Sequence, residues 1–271
     1  MGHLRPLAAI LLLSVAACGD DGGSVVQDAA PVIIDSRPDS APIDTTPPNN
    51  YDLSCYQNTA PTTAPATVTI SGTTQDLTLQ GPVALAGVTV KACKGDCLDA
   101  NNLGSVGPTA ANGAFATEAL TTSGAPVSGY LVATAAGHLT TYLYPHAALD
   151  ESLVGAPLVL VTPTVVGQLS FVTDAQESDK GLFGVAVTDC GGTPMPVAGA
   201  TISIKQGGVE VGSDPFDVGA LSPSLAGTFL VTNIPVGDVT ITATFDGKTF
   251  LATTAKSYAG AVTTTQVKPG Y

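Results

Sequence analysis

Beyond residue 55 the chain is written in short alternating runs. Thr67-Val68-Thr69-Ile70, Val88-Thr89-Val90-Lys91-Ala92 and Val239-Thr240-Ile241-Thr242-Ala243 place apolar side chains at every second position. That is the period of a strand with one wet and one buried face. β-Branched residues dominate these runs, Gly, Pro and Asn separate them, and no stretch sustains the 3.6-residue stripe of an amphipathic helix. The pattern predicts an all-β protein made of short-stranded sandwiches. One brief helix is expected within His146–Leu153 (HAALDESL), too short to change the class.

The alternating runs repeat. Val83–Val90 echoes Pro196–Ile204, Asn112-Gly113-Ala114-Phe115 echoes Ala226-Gly227-Thr228-Phe229, and Gly129–Gly137 echoes Gly237–Gly247. Gly87 to Gly199, Phe115 to Phe229 and Gly137 to Gly247 are offsets of 112, 114 and 110 residues, so two tandem copies fit. Thr162-Pro163-Thr164 is the natural seam, because proline interrupts strand pairing. The expected units are residues 55–162 and 163–271. In each copy a glycine supplies the turn before a strand, and Phe115 or Phe229 supplies an aromatic anchor for the core. Together these pieces resemble the carboxypeptidase regulatory-like domain, over residues 66–162 and more clearly 165–268. The resemblance implies two tandem Ig-like or prealbumin-like β-sandwiches, a fold also grouped with CnaB and starch-binding-like modules. Its signature is turn and core chemistry, which speaks to fold and hardly to function.

The longest apolar run lies outside the copies. Met1, His3 and Arg5 precede Leu7–Ala17, whose eleven residues would rise about 16 Å as a helix, half of a ~30 Å hydrocarbon core. The layout is that of an export signal over residues 1–17. Its end, Val15-Ala16-Ala17-Cys18, resembles the lipobox of bacterial lipoproteins. In that family the cysteine sulfur receives a diacylglyceryl group, the leader is cut in front of it, and the new amino group is acylated. By position, Cys18 is the expected lipidation site. An ordinary secreted protein cut after Ala17 is the competing reading, and the polar Gly19–Gly23 directly after the cysteine argues for the lipoprotein. Residues 18–54 are rich in Asp, Pro, Ser and Gly, too poor in apolar surface to offset their ordering entropy, and are expected to form a disordered tether.

Charge narrows the partners. The chain carries 22 acidic and 9 basic residues, a formal net charge of −13, with aspartates concentrated in the tether and opposed there only by Arg37. Such a chain repels phosphate, so no nucleic-acid partner is expected, and membrane attachment falls to the acyl chains.

Setting Cys18 aside leaves Cys55, Cys93, Cys97 and Cys190, an even number in an exported chain, and therefore candidates for disulfides. Three pairings are open. Cys93 with Cys97 would close a local loop after a strand, leaving Cys55 and Cys190 paired or free. Zinc competes for Cys93-Lys94-Gly95-Asp96-Cys97, but no second such pair and no paired histidines accompany it. Copy two carries an inserted polar stretch, Val172–Gly181, whose Asp174, Glu177 and Asp179 suit either a solvated loop or calcium, the solvated loop being preferred. Asp99 opens a weaker calcium-loop pattern that fails at Ala110.

No catalytic, cofactor or metal site is expected. His138 and His146 lack a nucleophile motif and read as surface residues, and no phosphate-cradling glycine loop occurs. The CnaB likeness raises Lys205 and Asn233 as an isopeptide pair, though no carboxylic acid can be placed beside them. The starch-binding-like grouping raises sugar recognition. Tryptophan is absent, which leaves Tyr130, Tyr142, Tyr144 and Tyr258 as platforms or, more simply, as sandwich-edge residues. The expected function is a non-enzymatic cell-envelope lipoprotein, on the outer membrane and facing the periplasm or the exterior, that presents two modules for structural or interaction work with an envelope protein. Carbohydrate binding, or service as accessory subunit of an envelope hydrolase or transporter, are the alternatives.

Overall fold

The computed structural model describes residues 51–78, 81–97, 102–192, 194–221 and 225–271. The segments expected as export signal and tether, with Cys18, lie outside the described residues as far as Asn50. Copy one supplies β1 (Thr67–Val68), β2 (Ile70–Thr78), β3 (Gly81–Ala84), β4 (Thr89–Cys93), β5 (Asn102–Val106), β6 (Ala114–Ala116), β7 (Leu120–Thr121), β8 (Tyr130–Thr134), β9 (Thr141–Tyr144) and β10 (Leu153–Leu160). After helix α1 (Pro163–Leu169), copy two supplies β11 (Gly181–Val187), β12 (Thr201–Gln206), β13 (Val209–Glu210), β14 (Phe216–Asp217), β15 (Thr228–Ile234), β16 (Gly237–Phe245), β17 (Lys248–Thr249), β18 (Thr253–Ser257) and β19 (Val262–Val267). The protein is all-β, as its alternation predicts.

One sheet is common to both copies. Its eight strands run β14-β15-β11-β19-β9-β8-β4-β5, and the join between copies is the parallel pairing of β19 with β9. Threonine hydroxyls reinforce that join: Thr265 Oγ1 donates to the Tyr144 carbonyl at 2.9 Å and Thr264 Oγ1 to that of Tyr142 at 3.3 Å. A four-stranded sheet (β10-β2-β3, with β6 on β2) belongs to copy one, and a five-stranded sheet (β13-β12-β16-β17, with β18 on β16) to copy two. β1 and β7 form a separate two-stranded ribbon.

Register decides which face of the shared sheet each copy uses, because side chains alternate along a strand. Leu131 stands opposite Leu143, and Leu143 opposite Thr264. Val132 stands opposite Tyr142, Tyr142 opposite Thr263, and Thr263 opposite Phe183, all on the other face. Leu131 and Leu143 belong to the first core, with Val90, Ala133, Phe115 and Leu158. Phe183 belongs to the second, with Val185, Phe229, Ile241 and Val267. The two sandwiches therefore lie on opposite faces of one sheet. Each fully buried Val, Leu, Ile or Phe contributes roughly 1.5–3 kcal/mol, and these are the dominant favourable terms in both cores.

The repeat is visible in the backbone. Gly113 and Gly227 take φ of 71° and 82° ahead of the buried Phe115 and Phe229, and a Cβ on either would run into a carbonyl, that of Thr74 or Val197. Glycine is required there on both counts.

Two local expectations are corrected. No helix forms within His146–Leu153, because Leu149 bridges to Val127 and Leu153 already opens β10. The helix occurs instead at α1, where the Thr162 hydroxyl accepts the Val165 N–H at 3.3 Å and Pro163 occupies the first turn. That is an N-cap followed by a proline whose missing N–H costs nothing there. The folded part also begins before Cys55: Tyr51 and Leu53 pack on the second core, and the Tyr51 ring meets Phe245 edge-on at 5.4 Å.

Candidate functional site

The five-stranded sheet covers the copy-two strands of the shared sheet and stops at the join. On that face of copy one, the pleat presents Lys91, Val132 and Tyr142 as a cross-strand row over β4, β8 and β9, flanked by Tyr130 and Thr134. Tyr258, just past β18, reaches the same place from copy two. Its ring stacks on Tyr142 with centroids 3.8 Å apart, and its hydroxyl lies 2.9 Å from that of Tyr144. Tyr130 stacks on Tyr144 at 4.8 Å and donates its hydroxyl to the Gly95 carbonyl at 2.9 Å. The four tyrosines named from the sequence as separate edge residues thus form one cluster, three rings from copy one and one from copy two.

Beside them opens a cleft of about 220 Å³ lined by Lys91, Asp96, Cys97, Tyr130, Val132, Thr134, Tyr142 and Tyr258. This is below the ~300–1,000 Å³ of drug-sized sites, room for about one ring. Burial raises the Tyr144 hydroxyl to about 12 and holds those of Tyr130, Tyr142 and Tyr258 above the ordinary phenol value. The hydroxyls therefore stay protonated at neutral pH, able both to donate and to accept. Lys256 Nζ sits 5.5 Å from the Tyr258 ring centroid, a cation over an aromatic face.

Both disulfide pairings are local in their consequences. Cys93 and Cys97 close the loop that forms one wall of the cleft. Cys55 and Cys190 tie the segment entering the fold to copy two, with Cα atoms 5.7 Å apart. Around that second bond the buried Asp189 carboxylate accepts backbone N–H groups from Asp52 (3.2 Å), Gly191 (3.2 Å) and Met195 (2.9 Å). The Tyr51 hydroxyl accepts from Ala198 at 2.9 Å. Residues 51–55 are thereby strapped to copy two, not to the copy they precede.

Other expectations resolve differently. Neither histidine is a simple surface residue. His138 Nε2 lies 3.2 Å from Asp76 Oδ1, an ion-pair distance in a geometry too misaligned for a hydrogen bond, and its side chain is only 11% exposed. Burial, aided by Lys268, lowers the His146 imidazole to about 4. Both histidines flank β9, and that placement at the join half-buries them. The structure does not bring Lys205 and Asn233 together. Lys205 pairs with Glu210 at 3.5 Å, while the Asn233 side chain donates to Ala175 and accepts from the Glu177 N–H. In the inserted stretch Glu177 is held by Lys180 at 2.9 Å, and among the described residues no cluster of His, Cys, Asp or Glu is placed to hold a metal.

Sequence reading missed Lys91 and Asp96 at the cleft, Lys256 over the Tyr258 ring, and Asp189 at the strap. Lys91 was visible only as the polar member of an alternating run; its neighbours follow from register, which no local pattern encodes.

No protein-family model matches the chain, and no curated protein matches it. Among solved structures it is similar to the Bacillus anthracis TIE protein, 12% identical over 75% of this chain and 35% of that one, with a TM-score of 0.26. It thus spans about a third of that chain. It is also similar to the shaft pilin SpaA of Lactobacillus rhamnosus GG (14% identical, 76% of this chain and 98% of that one, TM-score 0.24). The minor pilin GBS52 of Streptococcus agalactiae is comparable (11% identical, 74% and 95%, TM-score 0.24). Likenesses this low carry no argument. The sandwich fold rests on the strands, registers and cores described above.

Proposed function

We propose that this chain is a non-enzymatic cell-envelope lipoprotein. Cys18 carries the acyl chains, residues 18–50 form the tether, and two carboxypeptidase regulatory-like sandwiches, residues 55–162 and 163–271, are held out for structural or interaction work. The outer membrane, facing the periplasm or the exterior, is its expected place. The observation that carries this reading is the strap: where the chain enters the fold, Cys55 is bonded to Cys190, a bond suited to an oxidising compartment and to a fold anchored by its N-terminal side. Metabolic labelling with palmitate tests it. Label that disappears, together with membrane sedimentation, in Cys18→Ala supports the proposal; label that persists refutes the anchor.

A second reading is favoured by the tyrosine cluster. Aromatic rings beside hydroxyl, amine and carboxylate groups are the chemistry of sugar recognition, and here they line one cleft. A glycan array probed with the full chain carrying Cys18→Ala tests this. Binding that falls in Tyr142→Ala supports sugar recognition, and an array without signal removes it.

A further inference from the structure

The tyrosine seam is the place where a one-electron oxidant would leave its mark. Tryptophan and free cysteine compete with tyrosine for such oxidation, and either would quench a tyrosyl radical beside it. This chain has no tryptophan, and the four described cysteines are closed in the Cys55–Cys190 and Cys93–Cys97 bonds. Met195 is bonded at the strap and does not line the cleft. Tyrosine is therefore the oxidisable side chain of the cleft, and four of the chain's seven tyrosines stand together there.

Within the cluster one pair is set for coupling. Tyr142 and Tyr258 both line the cleft and are half-buried, so each ring keeps an edge toward the outside. Their planes lie 11° apart and their centroids 3.8 Å apart, which puts the two ring faces in van der Waals contact. Tyr130 and Tyr144 are farther apart, at 4.8 Å, and Tyr130 and Tyr142 at 6.0 Å. Tyr142 sits within β9, whereas Tyr258 follows the last residue of β18 and opens the turn into β19. Its backbone is thus outside the ladder, which leaves its ring room to swing from a stacked to a bonded, twisted arrangement.

We propose that Tyr142 and Tyr258 are a dityrosine modification site, coupled by a haem peroxidase with hydrogen peroxide into a covalent bond between the two copies. Each phenol gives up one electron and its hydroxyl proton. The two phenoxyl radicals carry unpaired density on the ring carbons ortho to oxygen, and they join through one Cε–Cε bond. The hydrogen on each joined carbon then passes to its own phenol oxygen, restoring both aromatic rings. The two electrons and two protons released reduce one hydrogen peroxide to two waters. The bond ties β9 of copy one to the β18–β19 turn of copy two. A link between positions so far apart in the chain also narrows the unfolded ensemble. The proposal rests on neither the anchor reading nor the sugar reading.

The test treats the full chain carrying Cys18→Ala with a haem peroxidase and small additions of hydrogen peroxide, at a dilution that disfavours contact between molecules. The expected product is monomeric, lighter by two hydrogen atoms, fluorescent as dityrosine, and higher in its denaturant midpoint, with the bond mapped by peptide mass to Tyr142 and Tyr258. Tyr142→Phe and Tyr258→Phe, which keep the rings, each lose the fluorescence, and Tyr271→Phe keeps it. Coupling that maps to other tyrosines, that only joins separate molecules, or that persists in both Phe variants overturns the proposal. So does treatment of the unmodified tyrosine cluster that yields no coupled product. The mapping is made with all four seam tyrosines present, so it decides the matter where a Phe variant fails to fold.

Discussion

The two faces of the shared sheet end their covering layers in different ways at the same join. On one face α1 and its neighbours close the gap with hydrocarbon: Val161, Val166, Leu182 and Val262 are buried together, with Leu77, Leu139 and Val165 packed against them. On the other face the gap is closed by Tyr130, Tyr142, Tyr144 and Tyr258, which bury ring area while the hydroxyls of Tyr130, Tyr144 and Tyr258 stay hydrogen-bonded. A hydrocarbon seam gains by excluding water and has nothing further to offer a solute. A tyrosine seam gains part of the same burial and still presents donors, acceptors and ring edges. One join thus holds the two sandwiches together on one face and exposes chemistry on the other.

Substitutions separate these roles. The largest effect is expected in the hydrocarbon seam: Leu182→Ala removes a side chain that is 3% exposed and lowers unfolding free energy by about 2–5 kcal/mol. Denaturant unfolding reads the loss, with the tyrosine cleft unchanged.

Acid comes next. An imidazole near 4 in the fold and near 6.5 in the unfolded chain means that the unfolded state binds a proton the fold refuses. The stability due to His146 is whole above pH 6.5 and is lost as pH falls from 6.5 to 4, to an extent on the order of 1–3 kcal/mol. Unfolding midpoints across that window should fall for the native chain and fall less for His146→Gln.

The smallest effect belongs to the tyrosine seam. Tyr144→Phe removes the hydroxyl pairing with Tyr258 and costs about 0.5–1.5 kcal/mol, because the ring contacts remain. Absorbance titration of the native chain should show the four seam tyrosines ionising above the usual phenol range, Tyr144 near 12. Ionisation of all four at the ordinary value would show that the seam is open to water.

Much of the fold was legible in the chain because its causes are local. Alternation at Val88–Ala92 and Val239–Ala243 marked strands β4 and β16, and the offset between Phe115 and Phe229 marked two copies whose glycine turns share one backbone geometry. The join was not legible, because the β9–β19 pairing depends on contacts about 120 residues apart that leave no mark on either strand. With the join hidden, four tyrosines that converge looked like separate edges, and two histidines beside β9 looked exposed. Thr162-Pro163, read as a break between copies, was also the cap and first residue of a helix.

Both copies share one sheet through β9 and β19. Amide hydrogen exchange resolved to single residues tests it most directly, at positions such as Val262, whose N–H bonds the Thr140 carbonyl at 2.9 Å. The paired amides of both strands are expected to exchange slowly, as interior strands do. Rapid exchange along β9 and β19, as at two independent sheet edges, would contradict it.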